Sequence, residues 1–264
     1  MIIPSRAIYD NTRALNYSGA KEILKSPAHY QSYLAQERVE SKALRVGSYI
    51  HCAVLQPGLM AQNFVAAPEF DRRTKDGKEA YAAFAASILP GMTVVSSEEA
   101  AECATIAAAA QATLDRMGVT FDSTELMFAT DYCGTPLKCA IDGVAGDYLW
   151  DLKTTEDASP SGILKAVRAY RYHLQAYFYR VCYEAEFARP IRGFRFLFIE
   201  KSAPYATAVV EIGPELMSYA VGDFERAYKA YRDCTDSGEW PAYGDGIQVI
   251  DTKPFIAPVP IQFA

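Results

Sequence analysis

The stretch IDGVAGDYLWDLKTT, residues 141–155, carries Asp142, Asp147, Asp151 and Lys153 within a run otherwise built of strand-forming residues. Its Gly146-Asp147 pair reads as the loop of a tight hairpin, with glycine first as a type II′ turn asks. Ala145 then faces Tyr148, and counting back puts Asp142 opposite Asp151. Cross-strand neighbours have Cβ atoms about 4.5–5.5 Å apart, where like charges repel. A shared proton, a lysine or a divalent cation must offset that repulsion. Residues two apart on a strand share a face, so Lys153 stands beside Asp151, while Trp150 and Leu152 turn to the opposite, apolar side. Carboxylates with open water positions suit hard cations such as Mg2+ or Mn2+. A lysine beside them can orient or help deprotonate a metal-bound water, or stabilise charge on a phosphorane-like transition state. This is the chemistry of phosphodiester hydrolysis. The plain alternative is an ordinary surface hairpin whose acids Lys153 bridges; Asp147 itself reads as a turn residue.

Several elements must position this hairpin. From Thr124 the hydrophobic period turns from helical to extended, and TELMFAT, TPLKCAIDGVA and YLWDLKTT read as three antiparallel strands. If Thr130 pairs with Thr135, Glu125 faces Ala140 and a row of Glu125, Ala140 and Lys153 crosses one face; a slip of one residue would reverse it. Upstream, NYSGAKEILKSPAHYQSYL begins a helix with Ser18 as candidate cap and breaks at Ser26-Pro27. SKALRVGSYIHCAVL is an apolar helix bearing His51, and residues 97–117 form another with Ser97 as candidate cap. Between these two lies a charged loop with Arg72, Arg73, Lys75 and Lys78. Downstream come a single long helix over roughly 161–186, two further strands in IRGFRFLFIEK and YATAVVEI, and a last helix PELMSYAVGDFERAYKAYRDCTDSG. The expected fold is one α/β domain over residues 1–264, a mixed central sheet flanked by helices, ending in a proline-rich arm over 241–264.

A chain of 264 residues with 50% hydrophobic and 12% aromatic content can bury a sizeable core. Six scattered cysteines without a CxxC pair give neither a zinc ribbon nor a clear disulfide framework, and fit reduced thiols in a cytoplasmic setting. No signal layout or long apolar run targets a membrane. The net charge of -6 is a weak objection to a nucleic-acid partner, because a site that gathers carboxylates around cations adds acid while handling phosphate.

GSYIH at residues 47–51, Glu125, CAIDG with Asp142, WDLKTT with Asp151 and Lys153, and YHLQAYFY with Gln175 and Tyr179 occur in that order. In this combination the chain resembles the RecB-like branch of the PD-(D/E)XK nuclease superfamily, and most closely the nuclease domain of the RecE (exonuclease VIII) family. The resemblance spans about residues 1–242 and implies a restriction-endonuclease-like core. It implies that His51, Asp142 and Asp151 are metal ligands, joined by the Leu152 carbonyl, that Lys153 is the catalytic lysine, and that Glu125 is an additional acid. Gln175 and Tyr179, one helical turn apart, would orient Lys153 or hold the DNA backbone. The implied activity is Mg2+-dependent exonucleolytic cleavage of double-stranded DNA ends, 5′ to 3′, yielding 5′-phosphates and leaving 3′ overhangs for recombination in a bacterium or phage-infected cell. Implied partners are DNA ends, further copies in a ring, a tetramer by resemblance, and a single-strand annealing protein of the RecT type. The cysteine spacing does not match the iron-sulfur relatives, so no cluster is expected. Action on single strands, endonucleolytic cleavage, or an inactive DNA-end-binding module are the competing expectations.

Outside that set, Arg72 and Arg73 are equally readable as a solvated turn or as phosphate contacts, since guanidinium groups bind phosphate bidentately. His173 reads as structural. Tyr170, Tyr172, Tyr177, Phe178 and Tyr183 spread around a helix axis and read as packing rather than as base-stacking groups.

Overall fold

A computed structural model describes residues 1–36, 41–244, 246 and 247. The chain opens with α1 (Arg6–Asn11), α2 (Tyr17–Ile23), α3 (Pro27–Ala35), α4 (Lys42–Leu55) and the short α5 (Met60–Asn63). A small excursion follows: β1 (Phe64–Ala67), α6 (Lys75–Ser87) and β2 (Thr93–Ser96), with β1 and β2 paired in parallel. Lys75 and Lys78 thus belong to α6 rather than to a loop, and β2 forms in a run that the periodicity leaves unassigned. α7 (Ser97–Arg116) is capped by Ser96 in a capping box with Glu99, one residue before the expected cap, and α2 is capped by Asn16 rather than Ser18. Both side chains accept an orphan N–H of the first turn, which is what selects the cap.

The centre is a five-stranded sheet ordered β3 (Ser123–Tyr132), β4 (Thr135–Ala145), β5 (Tyr148–Thr155), β6 (Gly193–Glu200), β7 (Thr207–Glu211). All neighbours are antiparallel except β5 and β6, so the sheet is mixed as expected. The parallel step needs a long crossover. α8 (Pro160–Tyr170) and α9 (Tyr172–Phe187) supply it, and α10 (Pro214–Ser237) packs on α9. The single helix expected over 161–186 is therefore two. Arg171 sits in the left-handed region at φ 55°, ψ 42°, and its guanidinium reaches buried Asp223 of α10 at 2.5 Å. Nothing in AVRAYRYHLQ breaks a helix locally; a contact 52 residues away holds the break.

Two apolar layers sandwich the sheet. Phe128, Phe178, Phe194 and Phe196 belong to the layer formed with α9, and Ile50, Ile106, Trp150 and Leu152 to the layer formed with α4 and α7. At about 1.5–3 kcal/mol for each large side chain fully buried, these layers dominate the stabilising energy. All six cysteines are unpaired, and no described helix is long and apolar enough to cross a membrane. Of the expected C-terminal arm, Pro241 and Tyr243 lie against α3; residues 245 and 248–264 fall outside the described residues.

Candidate active site

Gly146, at φ 53°, is the only left-handed residue of the β4–β5 turn, as a type II′ loop requires. The expected register holds through Ala145↔Tyr148, Val144↔Leu149 and Gly143↔Trp150, and the ladder stops there. Beyond it the strands part. The Asp142 carboxylate turns into the gap and accepts the Leu152 backbone N–H at 2.7 Å. Leu137, Cys139, Ile141 and Val144 all join one apolar layer, so the two-residue alternation of β4 slips between Ile141 and Val144. That kink frees Asp142 from a head-on meeting with Asp151.

The β3–β4 turn also differs from expectation. Cys133 at φ 51° and Gly134 at φ 80° form a two-residue loop, so Tyr132 pairs with Thr135 and Thr130 with Leu137. The shift is two residues, which preserves the face. Glu125 consequently lies opposite Asp142 instead of Ala140. It takes a left-handed φ of 49°, costly for a side chain with a Cβ, and interrupts the ladder between Thr124↔Gly143 and Leu126↔Ile141.

α4 brings His51 to this break. Its Nε2 lies 3.0 Å from the Leu152 carbonyl oxygen, while Nδ1 faces Asp142 Oδ2 at 3.5 Å and Glu125 Oε1 at 3.9 Å. The carbonyl fixes the ring orientation by accepting from Nε2, which leaves Nδ1 for a ligand. Donor atoms of His51, Glu125 and Asp142 lie within 4.8 Å of one another. One imidazole and two carboxylates form a donor set for a divalent cation. Buried Gln175 Oε1, with no hydrogen-bond partner among the described residues, adds a polar atom awaiting a ligand or its water.

Asp151 is almost wholly buried, at 2% exposure. Its Oδ1 accepts from Gln175 Nε2, and its Oδ2 faces the Lys153 ammonium at 2.6 Å. Gln175 therefore steadies Asp151, which in turn holds Lys153. Tyr179, one turn on, is buried edge-on against Tyr17 and Phe194, 6.3 and 6.0 Å between ring centres. Sequence reasoning missed Tyr172, whose ring centre lies 4.9 Å from Lys153 Nζ. The signal was there: 172, 175 and 179 share a helix face. His173 is structural, 3.2 Å from Asp223 Oδ2.

Electrostatics follow from burial and crowding. Desolvation raises the pKa of Asp142, against the pull of His51 and Lys153. Desolvation and then the Asp142 charge push Asp151 up to about 6. Burial opposes charge on His51, but Asp142, Glu125 and Asp151 outweigh it and raise its pKa to about 9. Burial likewise opposes charge on Lys153, yet Asp151 and Asp142 carry its pKa above the ordinary lysine value. The acids thus recruit positive charge, whether proton, ammonium or cation.

These groups line a cleft of about 1350 Å³, floored by Asp142, Asp151 and Lys153 and walled by residues such as Tyr17 and Gly47. Arg72 and Arg73 are not in its lining. Arg73 pairs with Asp71 at 2.9 Å, and Arg72 lies over the Tyr81 ring at 4.2 Å.

A family described as PDDEXK-like domain of unknown function (DUF3799) matches residues 16–253. The chain belongs to this family. A crystal structure from Eubacterium rectale, of a protein named provisionally as an exonuclease, superposes with a TM-score of 0.63 at 14% identity. The match covers 96% of this chain and 93% of that one, so this PDDEXK-like chain shares its fold along nearly the whole length. A second crystal structure, of SSO0001, superposes with a TM-score of only 0.27 at 12% identity over 79% of this chain and 84% of that one. No curated protein matches.

Proposed function

We propose that this PDDEXK-like protein is a divalent-metal-dependent DNA nuclease, acting as an exonuclease on double-stranded ends, 5′ to 3′. One observation carries the reading: His51, Glu125 and Asp142 converge within 4.8 Å at the break in the sheet, with the Asp151–Lys153 pair, 2.6 Å apart, next to them at the cleft floor. Mg2+, or Mn2+ in its place, would be held by His51 Nδ1 and the carboxylates of Glu125 and Asp142, with Asp151 beside them. Bound there, the cation supplies charge stabilisation at the phosphoryl oxygens and acidifies a water. The protein's own groups do the rest. Lys153, kept as an ammonium by Asp151 and Asp142, is suited to stabilise negative charge developing on the phosphate. Gln175 fixes the Asp151 carboxylate, and its free Oε1 can accept from a water at the site. Leu152 contributes through its backbone: its N–H holds Asp142 and its carbonyl holds the His51 ring. Tyr179 backs the cleft wall through Tyr17.

The duplex preference, the polarity, a ring of copies and a strand-annealing partner rest on the resemblance of the motif set to RecE-type nucleases. Arg72 and Arg73, outside the cleft, would meet phosphates farther along the duplex. A linear duplex labelled at its 5′ or its 3′ end, incubated with Mg2+, with EDTA and with the Lys153→Ala variant, tests the reading. Metal-dependent release from the 5′-labelled end, lost in the variant, is expected. DNA retained without cleavage in any lane would replace the nuclease by an end-binding module, and cleavage of circular DNA would replace the exonuclease by an endonuclease.

A further inference from the structure

Among the described residues two groups hold the Lys153 ammonium, and one of them is Asp151 of its own strand. The other is the face of Tyr172, 4.9 Å from Nζ to ring centre. This ring is not loose. It stacks on Tyr170 at 5.5 Å and on Phe196 at 5.4 Å, with interplanar angles of 25° and 30°, and Phe198 closes a third side at 6.0 Å. Its backbone is fixed as firmly. Tyr172 is the first residue of α9, next to left-handed Arg171, whose guanidinium is tied to buried Asp223. The Tyr17 hydroxyl donates to the Tyr170 carbonyl on the other side of the break. The interruption of the α8–α9 crossover therefore aims one aromatic face at one ammonium.

We propose that Tyr172 is a positioning residue that seats Lys153. An aromatic face attracts an ammonium through its quadrupole without supplying a neutralising charge. A second carboxylate in the same place would hold the lysine equally well but cancel the charge that a phosphate must meet. Asp151 and the ring together hold Nζ from two sides at the cleft floor. The inference rests on the reading of Lys153 as the group that acts on phosphate, and the face rather than the hydroxyl of Tyr172 carries it.

The test has a kinetic arm and a spectroscopic arm. Tyr172→Phe keeps the face, whereas Tyr172→Leu and Tyr172→Met remove it; the better folded of the latter two carries the comparison. The phenylalanine variant is expected to keep kcat within about twofold, and the aliphatic variant to lose about tenfold in kcat at unchanged KM while its circular dichroism spectrum stays native. Full kcat in the aliphatic variant, or an equal loss in the phenylalanine variant, would overturn the proposal. In protein labelled with 13C-lysine, the Lys153 ε-methylene protons should resonate upfield under the ring current, the signal being assigned by its disappearance in Lys153→Arg. It should persist in Tyr172→Phe and move to an ordinary lysine position in the aliphatic variant. A wild-type protein without the upfield signal would overturn the seating whatever the nuclease assay gives. The signal in a protein that cleaves no DNA would support the seating and sink the nuclease reading instead.

Discussion

Asp142, Asp151 and Lys153 in the central hairpin, and Asp71, Arg72 and Arg73 ahead of α6, are both short clusters of mixed charge. Their environments could hardly differ more. The first lies at the cleft between β4, β5, α4 and α9, with both acids buried and matched by named groups: Leu152 N–H, Gln175, His51 and Lys153. The second stands in solvent at the start of a helix with no buried residue, and closes on itself through an Arg73–Asp71 pair and an Arg72–Tyr81 stack. Buried charge interacts strongly and is costly to leave unmatched, while exposed pairs are screened and weak. Charge becomes chemistry where the fold withholds water from it.

The largest effects are expected at the hairpin. Lys153→Ala and Asp142→Asn should each lower the rate of duplex degradation at least about a thousandfold while leaving the circular dichroism spectrum native. A variant retaining a tenth of wild-type activity would mean that the buried cluster is structural. Stability offers the next contrast. Phe196→Ala, in the layer under α9, should cost about 3–5 kcal/mol in urea unfolding. Phe84→Ala on α6, half-buried against Phe70, should cost less than about 1 kcal/mol; similar losses would show that the excursion is as tightly packed as the centre.

A third prediction concerns protons. Cation binding to His51 Nδ1 must displace a proton whose pKa is raised to about 9. Affinity for Mn2+, measured by calorimetry, should therefore rise with pH, by up to about tenfold per unit, and level off above about 9. The same raised value means that protonated His51 stabilises the fold below its unfolded pKa, and that this contribution fades as pH rises through about 9. An affinity indifferent to pH between 7 and 9 would remove His51 from the ligand set. The smallest effect belongs to the exposed cluster. Replacing Arg72 and Arg73 by alanine should leave kcat unchanged and flatten the salt dependence of duplex binding by at most about two phosphate contacts. A collapse of kcat would place these arginines at the reacting phosphate.

Much of this arrangement is legible in one dimension. The turn at Gly146-Asp147 sets the β4–β5 register because a two-residue loop fixes pairing. The alternation around Trp150 and Leu152 assigns the two faces of β5, and the spacing of Gln175 and Tyr179 puts them on one side of α9. The α/β class and the mixed sheet follow from the order of periods. Less legible was the position of Glu125, because DYCG allows more than one turn. A shift of two residues changed its partner from Ala140 to Asp142 and kept its face.

What the sequence determined by itself was local: caps, periods, the hairpin turn, and which residue types stand close enough along the chain to meet. The tertiary structure alone decided where regularity fails. The left-handed Glu125 and Arg171, the kink at Asp142 and the approach of His51 to Leu152 have no local cause. Arg171 is held by Asp223, 52 residues on, and His51 reaches the Leu152 carbonyl from 101 residues away. Short-range preferences amount to tenths of a kcal/mol per residue, roughly. A buried ion pair or a packed aromatic layer outweighs them, and in this protein it does so where the charges converge.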